Sequence, residues 1–146
     1  SSLQSYLPKF LPDQQVILVH NLHTSADDFL FSKQLAISSR LYWCLCPNAN
    51  KYISQQLPGI DLLMKNDCKI VLGTDSLASN HQLSMLEEIK TIHQHFPHIE
   101  IEKILTWATI NGAKALQMDI LLGSFEKGKK PGVILLENFT SSRRLA

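Results

Sequence analysis

Near the middle of the chain an apolar run without alternation, Ile70-Val71-Leu72, stops abruptly at Gly73-Thr74-Asp75. A half-buried strand alternates apolar and polar residues; a strand buried on both faces does not, and such strands belong to parallel sheets covered by helices. The run predicts a parallel strand that delivers a carboxylate, Asp75, at its C-terminal end. In α/β folds that end is where ligands bind and catalysis sits. Two earlier runs have the same form: residues 16–19 end at His20-Asn21, and residues 41–46 end at Pro47-Asn48.

Between the runs lie helix signals. Thr24 or Ser25 can cap a helix from Ala26 to about Ser38, with Asp27 and Asp28 well placed in its first turn. Residues 48–55 read as a loop and short turn, broken by Pro58-Gly59, and residues 60–65 as a short helix. The resulting βαβαβα rhythm requires a parallel sheet with right-handed crossovers. Beyond Asp75 the period changes. Leu83, Leu86, Ile89, Ile92 and Phe96, then Ile101, Ile104, Leu105, Ala108, Ala115 and Leu116, fall at three-to-four spacing and predict two helices divided at Pro97. Residues 123–132 are turn-rich and 133–136 form a further strand. The chain thus divides into an α/β body over 1–121, a strand and turn of different texture over 122–139, and a frayed tail over 140–146. Ser1-Ser2-Leu3 reads as a start part-way through a larger protein.

The totals exclude several function classes. The 146 residues suffice for one sizeable core. Lys+Arg 14 against Asp+Glu 13 leaves a net charge of +1, so nothing suggests an electrostatic grip on nucleic acid or membrane. No apolar run approaches a spanning helix. Three cysteines at irregular spacing suit reduced thiols in a cytoplasmic protein and not a disulfide framework.

The chemistry-bearing residues gather at the ends of the runs. A His and an Asp at adjacent strand ends, His20 and Asp75, suit a metal-assisted hydrolase or simple acid–base chemistry. His93-Gln94-His95 looks like a chelating pair but lies in a helical period, where i and i+2 point to nearly opposite sides, so it reads as a solvated face. Cys44 and Cys46 share one face of their strand and Cys68 sits at the other end of the sheet; the three do not make a closed zinc site and read as buried, inert thiols. Residues 123–132 lack the strand–loop–helix order of a phosphate loop.

Five motifs occur in an order that resembles the C-terminal part of the amidohydrolase superfamily, in its branch of cytosine, guanine and adenosylhomocysteine-type deaminases and triazine chlorohydrolases. They are Val19-His20-Asn21-Leu22-His23, Cys46-Pro47-Asn48-Ala49-Asn50, Leu72-Gly73-Thr74-Asp75 continuing to Asn80, Trp107 to Leu116, and Gly123 to Lys129. The resemblance implies an α/β fold, the C-terminal portion of a (β/α)8 barrel with strands six to eight and the helices that follow, plus one strand of a small β-sandwich. It implies that Asp75 is a metal ligand and proton acceptor, and that His20 steadies the attacking hydroxide. The cofactor implied for the parent enzyme is a divalent metal, zinc or iron, and the reaction is hydrolytic deamination of a purine- or pyrimidine-like small-molecule substrate. Asn48 and Asn80 are the substrate-binding candidates, with Asn21 and His23 as further pocket groups. The chain carries Leu45 where many relatives carry a His.

The family's first-strand His-x-His pair, its fifth-strand His and its proton-shuttling Glu have no counterparts here. One carboxylate and one distant His are too few for a catalytic zinc site. The expectation is therefore that this chain alone binds no metal tightly and is inactive, and that its open sheet edges favour self-association. The alternative is a stand-alone flavodoxin-like binding module. It needs about five strands, two of them supplied by residues 1–15 and 133–136.

Overall fold

The computed structural model describes residues 1–137 and 141–145. A short helix, α1 (Ser2–Tyr6), and a 3-10 turn over Leu7–Lys9 lead into β1 (Val16–Val19). Then come α2 (Ala26–Gln34), β2 (Leu41–Leu45), α3 (Pro47–Ser54), α4 (Ile60–Lys65) and β3 (Lys69–Leu72). Three helices follow, α5 (Met85–His95), α6 (Ile101–Ala108) and α7 (Ile110–Ala115). Strands β4 (Ile134–Glu137) and β5 (Ser141–Arg144) complete the described chain.

The three apolar runs form one parallel sheet in the order β1-β2-β3, with Leu18 opposite Trp43 and Trp43 opposite Ile70. Side chains alternate across it. Leu41, Trp43 and Leu45 of β2, with Ile70 and Leu72 of β3, enter the helix-side core beside Phe29, Ile60, Leu63, Ile89, Ile92, Ile104 and Trp107. Phe29 packs its ring on Trp43 with centroids 4.8 Å apart, a tilted pair worth about 1 kcal/mol beyond its buried area. On the other face Tyr42 and Val71 pack with Ala115 and the half-buried Cys44, whereas Ile17 and Val19 of β1 stand 36% and 49% exposed. That face is covered at β3 and bare at β1.

The structure departs from the sequence expectations at four places. Residues 47–54 are a helix, α3, and not a loop: Pro47 sits in its first turn and Gln55 closes it in the left-handed region, φ 52°. The helix expected to reach about Ser38 ends at Gln34, where Leu35 turns extended. The second of the two late helices breaks at Thr109 into α6 and α7. The tail is not frayed over its described part, since Ser141–Arg144 pairs antiparallel with β4; Thr140 and Ala146 lie outside the described residues. β4 and β5 form their own two-stranded sheet, so among the described residues the parallel sheet has three strands and the five-stranded flavodoxin-like alternative has no sheet to rest on. Among the described residues no helix is long and apolar enough to cross a membrane.

Candidate active site at the strand ends

His20 follows β1 directly and takes a backbone conformation that L-residues rarely adopt, φ 71°. The Asn21 N–H donates to the Val19 carbonyl at 3.0 Å, closing a γ-turn with His20 at its centre. A γ-turn with positive φ is rare and strained, and residues held this way cluster at functional sites. Asn21, also at positive φ, locks the turn by donating its side-chain amide to the Leu18 carbonyl at 2.8 Å.

Asp75 lies beyond β3 and is likewise left-handed, φ 58°. The two residues come from strands separated by β2, not from adjacent ones. Strand spacing of about 4.8 Å leaves roughly twice that distance between β1 and β3. The two backbone kinks help the side chains reach over the end of β2, and His20 Nε2 stands 3.6 Å from Asp75 Oδ2. Both side chains are about one-third exposed. Ser79 Oγ donates to Asp75 Oδ2 at 2.5 Å. That bond, with the Ser76 backbone N–H and the nearby His20, holds the Asp75 carboxyl below the usual carboxylate range despite some desolvation. Asp75 is therefore ionised at neutral pH.

Asn50 approaches the far side of the His20 ring. It is 2% exposed, and its Oδ1 lies 2.7 Å from His20 Nδ1, while its Nδ2 is buried without a hydrogen-bond partner. Helix α3 carries Asn50 to this position, so the segment read from sequence as a loop is what orients the histidine.

Beneath the rim lies a fully buried carboxylate. Glu88 of α5 is 0% exposed. Its Oε2 accepts from the Asn48 backbone N–H at 2.9 Å, and its Oε1 accepts from Asn80 Nδ2 at 2.8 Å. Asn80 Nδ2 also donates to the Thr74 carbonyl at 2.8 Å, next to Asp75. Desolvation pushes the Glu88 carboxyl up, and the hydrogen bonds from Asn48 and Asn80 offset this only in part. The contacts close a ring: Glu88 clasps the start of α3, α3 brings Asn50 to His20, His20 faces Asp75, and the loop after Asp75 returns through Asn80 to Glu88. Asn48 Oδ1 accepts from Thr91 Oγ1 at 2.6 Å, so the side chains of both Asn48 and Asn80 bond groups inside the protein.

The remaining candidates lie apart. His23 is exposed and lines, with Tyr6, Phe10, Val19, His20 and Asn50, an open cleft of about 620 Å³ along the free edge of β1 that does not reach Asp75. His93 and His95 are exposed on α5, and His95 Nδ1 meets the Thr91 carbonyl of its own helix. Burial pushes the Cys68 thiol up to about 11. Cys46 is raised chiefly by its contact with Cys44, with burial adding to it. Among the described residues no group of three or more His, Cys, Asp or Glu is placed to hold a metal ion.

Sequence reasoning singled out His20 and Asp75, which the structure brings together, but not Asn50 or Glu88, which surround them. A signal existed for Glu88: it falls at three-to-four spacing with Met85 and Ile92, a charged residue inside an apolar stripe, and a buried charge must be hydrogen-bonded.

Residues 1–144 match the amidohydrolase family. The 5-methylthioadenosine/S-adenosylhomocysteine deaminase of Thermoanaerobacter pseudethanolicus is 31% identical over 132 residues, covering 86% of this chain and 30% of the relative. The Helicobacter pylori aminofutalosine deaminase, solved with methylthio-coformycin, superposes with a TM-score of 0.76 at 26% identity, over 89% of this chain and 31% of that one. An adenosine deaminase from Xanthomonas campestris, solved with bound zinc, agrees in fold with a TM-score of 0.68 at 24% identity, over 81% of this chain and 28% of that one. The chain spans about 30% of the length of the curated relatives it matches. By a match across nearly all its residues, it belongs to the amidohydrolase family.

Proposed function

We propose that the chain is the C-terminal part of a hydrolytic deaminase acting on an aminopurine-like ring, with β1, β2 and β3 as strands six, seven and eight of a (β/α)8 barrel and β4 as a strand of the accompanying sandwich. The observation that carries the reading is the approach of His20 Nε2 to Asp75 Oδ2, 3.6 Å, from two strands that are not neighbours. The names of the relatives, deaminases of methylthioadenosine-type nucleosides, supply the substrate class.

Asp75, ionised and exposed at the rim, takes a proton from the attacking water as a C–O bond forms at the ring carbon. His20 steadies the negative charge that develops on that oxygen. As the C–O bond forms, the pair of the ring C=N bond moves onto the ring nitrogen. It returns to re-form that double bond as the C–N bond breaks and the amine, taking the proton held by Asp75, leaves as ammonia. A metal of the kind seen in the Xanthomonas campestris relative needs about three protein ligands. Asp75 is suited to that role, and among the described residues no group of three or more such side chains completes the set. The remaining ligands, in this reading, come from sequence outside these 146 residues.

The codons upstream of Ser1 test the proposal at once. An open frame encoding a strand that ends in His-x-His, with a further His before Ser1, is expected; a stop codon immediately upstream would contradict it. Calorimetric titration of the isolated chain with zinc is the companion measurement, and tight binding lost in Asp75→Asn would equally count against the partial-site reading.

A further inference from the structure

An amide oxygen and an amide nitrogen differ at a buried site only in the hydrogen bonds each can make. With Asn50 Oδ1 towards His20 Nδ1, a neutral ring must carry its proton on Nδ1, and two consequences follow. His20 Nε2 then turns a lone pair on Asp75 Oδ2 across 3.6 Å, acceptor against acceptor. Asn50 Nδ2, in a side chain 2% exposed, is left as a buried donor without a partner. An orphaned buried N–H is among the rarest defects in folded proteins, whereas an under-used carbonyl oxygen is commoner. A charged imidazolium cures the first problem and leaves the second.

Turning the amide over cures both. We infer that Asn50 donates Nδ2–H to His20 Nδ1 and thereby fixes neutral His20 as the Nε2–H tautomer, with its one proton aimed at Asp75. Asn50 is a positioning residue: it touches neither the reacting atoms nor Asp75, and acts through the imidazole. The chemical consequence is specific. A neutral ring with Nε2–H donates to an oxygen lodged between it and Asp75, so it can steady a developing oxyanion without first being protonated. The opposite tautomer can only accept there. This consequence rests on the deaminase reading above; the tautomer itself does not.

The test is long-range 1H–15N correlation on the full chain with 15N-labelled histidine, in alkaline buffer where imidazole is neutral, with His20→Gln assigning the ring. The expected wild-type spectrum has the His20 proton on Nε2 and a lone pair on Nδ1. In Asn50→Asp the partner can only accept, and the proton moves to Nδ1. A wild-type ring protonated on Nδ1 overturns the inference, and so does a folded Asn50→Asp protein whose tautomer is unchanged. Should Asn50→Asp fail to fold, the wild-type spectrum alone decides. Neither readout uses metal, substrate or turnover, so a chain with the expected tautomer and no place in a deaminase would separate this inference from the functional proposal.

Discussion

At the scale of single residues, Glu88 is the most consequential side chain outside the His20–Asp75 pair. Its two oxygens serve donors from two different rim segments, Asn48 N–H and Asn80 Nδ2. Removing it leaves the Asn48 N–H without its acceptor and loosens both loops. Glu88→Ala is expected to cost about 2–4 kcal/mol in chemical unfolding, and Glu88→Gln, which keeps one acceptor, roughly half of that. The variants also differ in pH dependence. The Glu88 carboxyl is raised above its ordinary value of 4.5 by burial, so the folded state holds its proton more tightly than the unfolded chain does. Its contribution to stability is present in full below the ordinary value and is lost as pH rises through the folded value. The stability advantage of wild type over Glu88→Gln should therefore shrink as pH rises from the acid side; an advantage that grows with pH would contradict this account. Residues of this kind explain the limit of sequence reading at the site. His20 and Asp75 are legible because they terminate apolar runs. Asn50 and Glu88 matter only through burial against other elements, and that is a property of the tertiary structure.

Among the elements, β2 and β3 leave no room for a side chain where Gly73 follows β3. A Cβ at Gly73 would lie 3.0 Å from Cys44 Sγ and 3.4 Å from Cys46 Sγ, so the missing side chain is what lets the two thiols lie beside the rim. Gly73→Ala is expected to cost about 1–3 kcal/mol by overpacking. Cys44→Ala, which removes the closest atom, should recover most of that in the double variant. Thermal unfolding of the four proteins measures the coupling, and strictly additive effects would show that the thiols are not in the way. The elements differ in how visible they are before folding. The three parallel strands are plain in the sequence because double-sided burial demands unbroken apolar runs. Helix α3 is not, because its buried face is made of Pro47, Ala49 and Asn50 and carries no apolar stripe. The β4–β5 pair is half visible: an apolar run marks β4, while Ser141–Arg144 gains strand structure only by pairing with it.

The whole molecule has the asymmetry of a part. Helices cover one face of the sheet, yet Ile17 and Val19 stand open on the other, and the cleft of about 620 Å³ runs beside β1, whose outer edge pairs with no strand among the described residues. The family match extends over nearly the whole chain, while the chain accounts for about 30% of the relatives' length. The proposed reading, the C-terminal part of a deaminase, is supported at the rim by the meeting of His20 and Asp75. The most direct measurement of that claim is a chimera. Residues 1–146 replace the matching C-terminal segment of the Thermoanaerobacter pseudethanolicus deaminase, and ammonia release from methylthioadenosine is followed. The expected result is metal-dependent release that Asp75→Asn and His20→Gln each lower by about a hundred-fold or more. A folded chimera that releases no ammonia, or one indifferent to Asp75→Asn, would contradict the account.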